Sequence, residues 1–196
     1  MELWTPNFII RRELSKLSTQ TSEALKTLLA ANEPQQAIEN SNLKKPASIQ
    51  EQRARMAQNH TKMVEALEAA VGRERAITLG REAMFAVGVN LGKQTRFKLG
   101  VGDNPNDLIR AAKILYRILG IEFHMGNLTQ TKAEAIIDRC ALAQQYSRLT
   151  CEVLSATDEG VIKGLQPNAT MQFKKYMTSG CQTCTAQIQF TKEAMV

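Results

Sequence analysis

"GIEFHMGNLTQTKAEAIIDRC", residues 120–140, is where the chain changes period. Ile121, Phe123 and Met125 alternate with Glu122 and His124; "GN" at 126–127 is turn-like; Thr131, Ala133, Ala135 and Ile137 alternate again. A period of two puts one set of side chains on one face of a pleated strand. The stretch therefore predicts two strands joined by a turn. Beyond it, residues 141–165 return to a helical pattern. Met171 and Phe173, then Ala186, Ile188 and Phe190, predict two more strands around "TSGCQTC". The order β-β-α-β-β predicts an α+β fold with an antiparallel sheet, preceded by a helical N-terminal half.

That helical half reads in segments. Ile10, Leu14, Leu17, Ala24, Leu25 and Leu28 form an apolar stripe over residues 8–31. Residues 32–48, with Pro34 and Pro46, read as a linker. The expected division is therefore an arm and linker at 1–48 and an α+β domain at 49–196. Ser48 with Glu51 makes a capping box for a helix over 49–71, which stops at Gly72. In the next helix Ile77, Gly80, Met84, Val87 and Leu91 share a face. Its Gly80, Gly88 and Gly92 cost helix stability but permit another backbone to approach closely. In "GVGDNPNDLIRAAKILYRILG", residues 100–120, Asp103 or Asn104 caps a helix, Pro105 suits its first turn and Gly120 ends it. Its stripe is Leu108, Ala111, Ala112, Leu115, Ile118 and Leu119.

A chain of 196 residues can bury a core without disulfide staples. No apolar run approaches the roughly 18–20 residues that span a bilayer. The N-terminal stretch lacks a signal-peptide pattern. A cytoplasmic location is expected, and there the four Cys are reduced thiols or metal ligands. The net charge is +6, with 15 Lys and Arg against 10 Asp and Glu in residues 1–100, and 10 against 9 in the rest. Those charges are interleaved and no nucleic-acid motif accompanies them, so nucleic acid is not an expected partner. No Ser-His-Asp order, phosphate loop or dinucleotide fingerprint is present.

The cysteines are Cys140, Cys151, Cys181 and Cys184. Cys181 and Cys184 form a CxxC on a turn, which is open to three readings: half a zinc or iron–sulfur site, a redox pair, or small turn residues. A thioredoxin-like redox pair sits at a helix N-terminus, which disfavours redox on this hairpin. Were 140–151 one helix, its ends would stand roughly 16 Å apart. All four Cys can share a metal only if that segment is a loop that folds back, with the helix starting near Ser147.

"GRERAITLGREAMFAVGVNLGKQ", residues 72–94, and "DRCALAQQYSRLTCEVLSATDEGVIKGLQPNATMQFKKYMTSGCQTCTAQIQF", residues 138–190, resemble the L-2-amino-thiazoline-4-carboxylic acid hydrolase family, itself similar to small-molecule-binding domains of the 4-vinyl-reductase type. The resemblance rests on Cys140, Cys151, Gly164-Leu165 with Pro167, and Gly180 with Cys184, and covers roughly the last 125 residues. Ala141 stands where the family often has Pro, and Cys181 where it often has Asp. The resemblance implies a hydrolase that opens a small cyclic amidine and a cytoplasmic small-molecule substrate.

Opening such a ring needs a nucleophile or activated water, and a proton donor to the leaving atom. Cys140 or Cys151 would be the nucleophile, with Arg139 and Arg148 as cations to lower a thiol pKa. Cys151, Ser155, Asp158 and Glu159 share a helix face, so Asp158 is the candidate general base, a solvated helix edge being the plainer alternative. Lys163, Lys174 and Lys175 are candidates for a substrate carboxylate, or simply surface. His60, among Gln58, Asn59 and Thr61, is expected to be exposed; His124 is expected to be structural rather than a ligand. A second expectation is a non-enzymatic module that holds zinc or an iron–sulfur cluster through all four Cys and senses or delivers a ligand. The stripe of residues 8–31 needs a partner surface, and a homodimer would supply one.

Overall fold

The computed structural model describes residues 6–32, 48–102, 104–127, 129 and 131–191. The linker expected between Asn32 and Ser48, and Asp103 as a cap, lie outside these. Among the described residues, five α-helices precede and interrupt a four-stranded sheet: α1 (Asn7–Asn32), α2 (Ile49–Val71), α3 (Arg73–Leu99), α4 (Pro105–Leu119), β1 (Ile121–Gly126), β2 (Lys132–Cys140), α5 (Arg148–Leu165), β3 (Ala169–Lys175) and β4 (Cys184–Phe190). The strands run in the order β1-β2-β4-β3, every neighbour antiparallel. The α+β class and the β-β-α-β-β order are as the sequence predicts. Among the described residues no helix is long and apolar enough to cross a membrane.

The helix ends follow local chemistry. Ser48 Oγ accepts from the Glu51 N–H at 3.0 Å, and Asn104 Oδ1 accepts from the Asn106 N–H at 2.8 Å. Such bonds satisfy donors that a helix start leaves orphaned. Gly120 ends α4 in the left-handed region at φ 72. The helix expected over 141–165 begins later, at Arg148, behind a run of turns. Ser147 is the reason: its Oγ accepts from the Thr150 N–H at 3.1 Å and caps α5 there.

α3 and α5 are the closest-packed pair of helices, because their glycines face one another. A Cβ on Gly88 would stand 2.1 Å from the Thr157 carbonyl oxygen, and one on Gly160 2.2 Å from that of Phe85. Gly92 and Gly164 meet opposing backbone in the same way. This contact fixes α5 beneath the sheet. Ala133 and Ala135 of β2, Ala186 and Ile188 of β4, and Ile162 and Leu165 of α5 then share one apolar cluster. The α1 stripe finds a partner surface within the chain: Leu25 and Leu29 join Met63, Val64 and Leu67 of α2 and Val153 of α5.

Candidate functional site

The antiparallel pairing of β2 with β4 brings the end of one beside the start of the other, with Ile137 opposite Cys184. Cys140 closes β2, Cys184 opens β4, and Cys151 lies in the first turn of α5. All three thiols, with Asp158, line a cavity of about 80 Å³ between the sheet, α5, α2 and the turns at 141–147. So Cys140, Cys151 and Asp158 converge on one space, and Cys184 from a later strand joins them. Cys181 does not line it; it sits partly exposed on the turn before β4. Among the described residues no three His, Cys, Asp or Glu side chains gather as a ligand set for a metal ion.

The cavity is apolar enough to perturb every acid in it. Burial pushes the Cys151 thiol up to about 12, and raises Cys184. Burial also raises Cys140, although the backbone N–H groups of Leu142 and Ala143 oppose that rise. The cations expected to lower these values stand elsewhere. Arg139 faces Glu122 at 3.6 Å on the exposed sheet edge, and Arg148 is exposed at the start of α5. The three thiols are therefore protonated at neutral pH.

Asp158 is the unusual group. Burial, then the neighbouring Glu159 charge, push its carboxyl from the usual 3.8 to about 7. Among the described residues, none donates a hydrogen bond to it or pairs with it. Glu159, next in sequence, points away and is partnered. It accepts from Arg81 Nη2 at 2.7 Å and from the Phe173 N–H at 3.3 Å, where β3 shifts register against β4. The shared helix face expected for Asp158 and Glu159 is thus divided between cavity and ion pair, and neither is a solvated edge.

The sequence reading missed the rest of the wall. His60 is 2% exposed, not on the surface. α1 covers it on one side, where Nε2 meets Thr21 Oγ1 at 2.8 Å, and the 141–147 turns cover the other, where Nδ1 meets Tyr146 Oη at 2.9 Å. The Thr21 hydroxyl also lies 2.9 Å from the Leu17 carbonyl and 3.2 Å from the Ser18 carbonyl. Burial pulls His60 down to about 4, so the ring is neutral. His124 is exposed and pairs with Asp138 at 2.7 Å across β1 and β2. Lys163 donates to the Pro167 carbonyl at 2.5 Å, while Lys174 and Lys175 are exposed on β3; none of the three lines the cavity.

The arrangement can bind a small, largely apolar molecule, and can move a proton at Asp158 near neutral pH. A protein-family model described as L-2-amino-thiazoline-4-carboxylic acid hydrolase matches residues 50–188, a span that starts at α2 and so reaches further back than the motifs suggest. No curated protein matches the chain. Two solved structures share the fold. One is a trafficking protein particle complex subunit 3 from Naegleria fowleri covalently bound to palmitic acid, 14% identical over 71% of this chain and 95% of that one, TM-score 0.54. The other is the phenol-responsive sensory domain of the transcription activator PoxR with phenol, 14% identical over 88% of this chain and 92% of that one, TM-score 0.51.

Proposed function

Because the chain belongs to the L-2-amino-thiazoline-4-carboxylic acid hydrolase family, we propose that it hydrolyses a small cyclic amidine held at Asp158. The observation that carries this reading is a carboxyl at a thiol-lined apolar cavity that, among the described residues, no Lys or Arg lines. A carboxylate that faces an apolar cavity without a partner is costly. A protonated amidine supplies the missing charge, and its two N–H groups match the two carboxylate oxygens in a bidentate pair. Binding then ionises Asp158 and polarises the amidine carbon.

Of the thiols, Cys140 suits attack best, since two backbone N–H groups act on its sulfur while Cys151 stands at about 12. The sulfur–carbon bond forms, the C=N π pair moves onto nitrogen, and the thiol proton passes to Asp158. The carboxylic acid returns that proton to the departing ring atom as the ring opens. Water then adds to the same carbon, one of its protons passes to the Cys140 sulfur, and the carbon–sulfur bond breaks to restore the thiol. Cys151 and Cys184 shape the wall.

The fold neighbours with palmitic acid and phenol support an apolar body as part of the ligand. They also favour a second reading, a binding module without turnover. Turnover separates the two. Purified protein given L-2-aminothiazoline-4-carboxylate should consume it, with activity lost in Cys140→Ser and Asp158→Asn and retained in Cys181→Ser. Binding without turnover in the intact chain would move the assignment to the binding module.

A further inference from the structure

Two cavities meet at Asp158. Beside the thiol-lined space lies a larger one of about 120 Å³, under the sheet and between α4 and α5. Its walls are mostly apolar, with Ala112, Leu115, Met171 and Phe190 among them, and Glu13, Lys16 and Lys98 also line it. Both compartments share Leu17, Tyr116, Leu119, Thr157 and Asp158 as lining.

The junction carries a second sign of a ligand. Thr157 is 9% exposed, lines both compartments, and its hydroxyl has no hydrogen-bond partner. A buried hydroxyl left unpaired costs free energy. It stands next to a carboxyl that also lacks a partner. Two unsatisfied polar groups at the meeting point of two apolar spaces mark the place of a polar head. A single five-membered ring at the thiols leaves the larger compartment unused, and an unfilled apolar cavity weakens the fold.

We infer that the ligand carries an apolar arm on its amidine head: the head sits at Asp158 and Thr157, and the arm fills the compartment between α4, α5 and the sheet. This rests on the amidine reading for the head, while the arm rests on the compartment alone. The ligand class is an alkyl- or aryl-substituted amidine, with the Thr157 hydroxyl exchanging a hydrogen bond with the head.

Straight-chain amidinium ions from acetamidinium to hexanamidinium, with primary alcohols of matched length, test this by calorimetry on the full chain. Each methylene placed in the compartment should tighten binding about fourfold. Ala112→Phe should remove that gain while circular dichroism shows a folded protein; Leu115→Trp is the second blocking variant. Thr157→Val should weaken all the amidines by a similar factor and leave the slope intact. Affinity independent of chain length, or a slope unchanged by both blocking variants, overturns the inference. A slope that persists while amidines bind no tighter than alcohols leaves the compartment standing and removes Asp158 as the cation's partner.

Discussion

Gly88→Ala sets two physical effects against each other, and they differ in sign. Helix propensity alone favours alanine by about 1 kcal/mol. Packing opposes it. The new methyl would stand 2.1 Å from the Thr157 carbonyl oxygen and 2.9 Å from the Thr157 carbonyl carbon and the Val161 nitrogen. All three atoms are backbone of α5, so no side chain can swing aside. The helices must part by roughly 1 Å to restore ordinary contact. Overpacking of this kind costs about 1–3 kcal/mol. Parting here also loosens Gly92, Gly160 and Gly164, which puts the cost near 3 kcal/mol. The net loss is about 2 kcal/mol, or roughly 4–8 °C in Tm for a chain of this length. Ala86→Gly, exposed on the same helix, should lose only about 1 kcal/mol through propensity. Thermal and urea unfolding of both variants reads the difference. A Tm for Gly88→Ala equal to or above that of the parent would refute the backbone-contact account of α3 and α5. The same displacement moves Thr157 and Asp158, so amidine binding should weaken well below the melting range.

Three further outcomes follow from the cavity. Asp158 holds its proton in the folded chain up to about pH 7 and in the unfolded chain only to about 3.8, so the stability it contributes is full below pH 3.8 and is lost as pH rises through 7. That loss is about 4 kcal/mol at most, and urea midpoints of Asp158→Asn should lack this pH slope; parallel slopes in parent and variant would contradict it. Thr21→Val leaves the buried His60 Nε2 without its hydrogen-bond partner and should cost about 1–3 kcal/mol in urea unfolding; an unchanged midpoint would deny the Thr21–His60–Tyr146 chain. Iodoacetamide at pH 7, followed by peptide mass spectrometry, should label Cys181 well before Cys140, Cys151 and Cys184; equal rates would show the cavity thiols to be open and ionised.

The strands of residues 121–137 were legible because one sheet face packs on helices and the other does not, which writes a period of two into the sequence. Ser48, Asn104 and Gly120 were legible because capping is local chemistry. The segment 141–147 was legible only as one of two alternatives, a helix or a loop with the helix starting near Ser147. "ALAQQYS" has fair helix propensity, but Thr61 donates to the Gln145 carbonyl at 2.9 Å and Tyr146 bonds His60, so tertiary contacts hold it as turns. His60 looked exposed because its sequence neighbours are polar. Those neighbours are themselves engaged, Asn59 with Ser22 and Gln58 with Gln145, on a helix covered by α1 and the turns. Cys140, Cys151 and Asp158 were named from residue type and resemblance. That Cys184 joins them and Cys181 stands apart follows from strand register, which cysteine spacing does not encode. Thr157 gave no signal, since an unpartnered hydroxyl is visible only once its surroundings are.

Calorimetry of 2-aminothiazoline binding at pH 7, repeated in buffers of different ionisation enthalpy, tests the role of Asp158 most directly. With its carboxyl poised at about 7, roughly half the molecules carry the proton, and an arriving amidinium expels it. The account predicts release of about half a proton per site, absent in Asp158→Asn. Binding with no proton release in the parent chain would show that the amidine does not pair with Asp158.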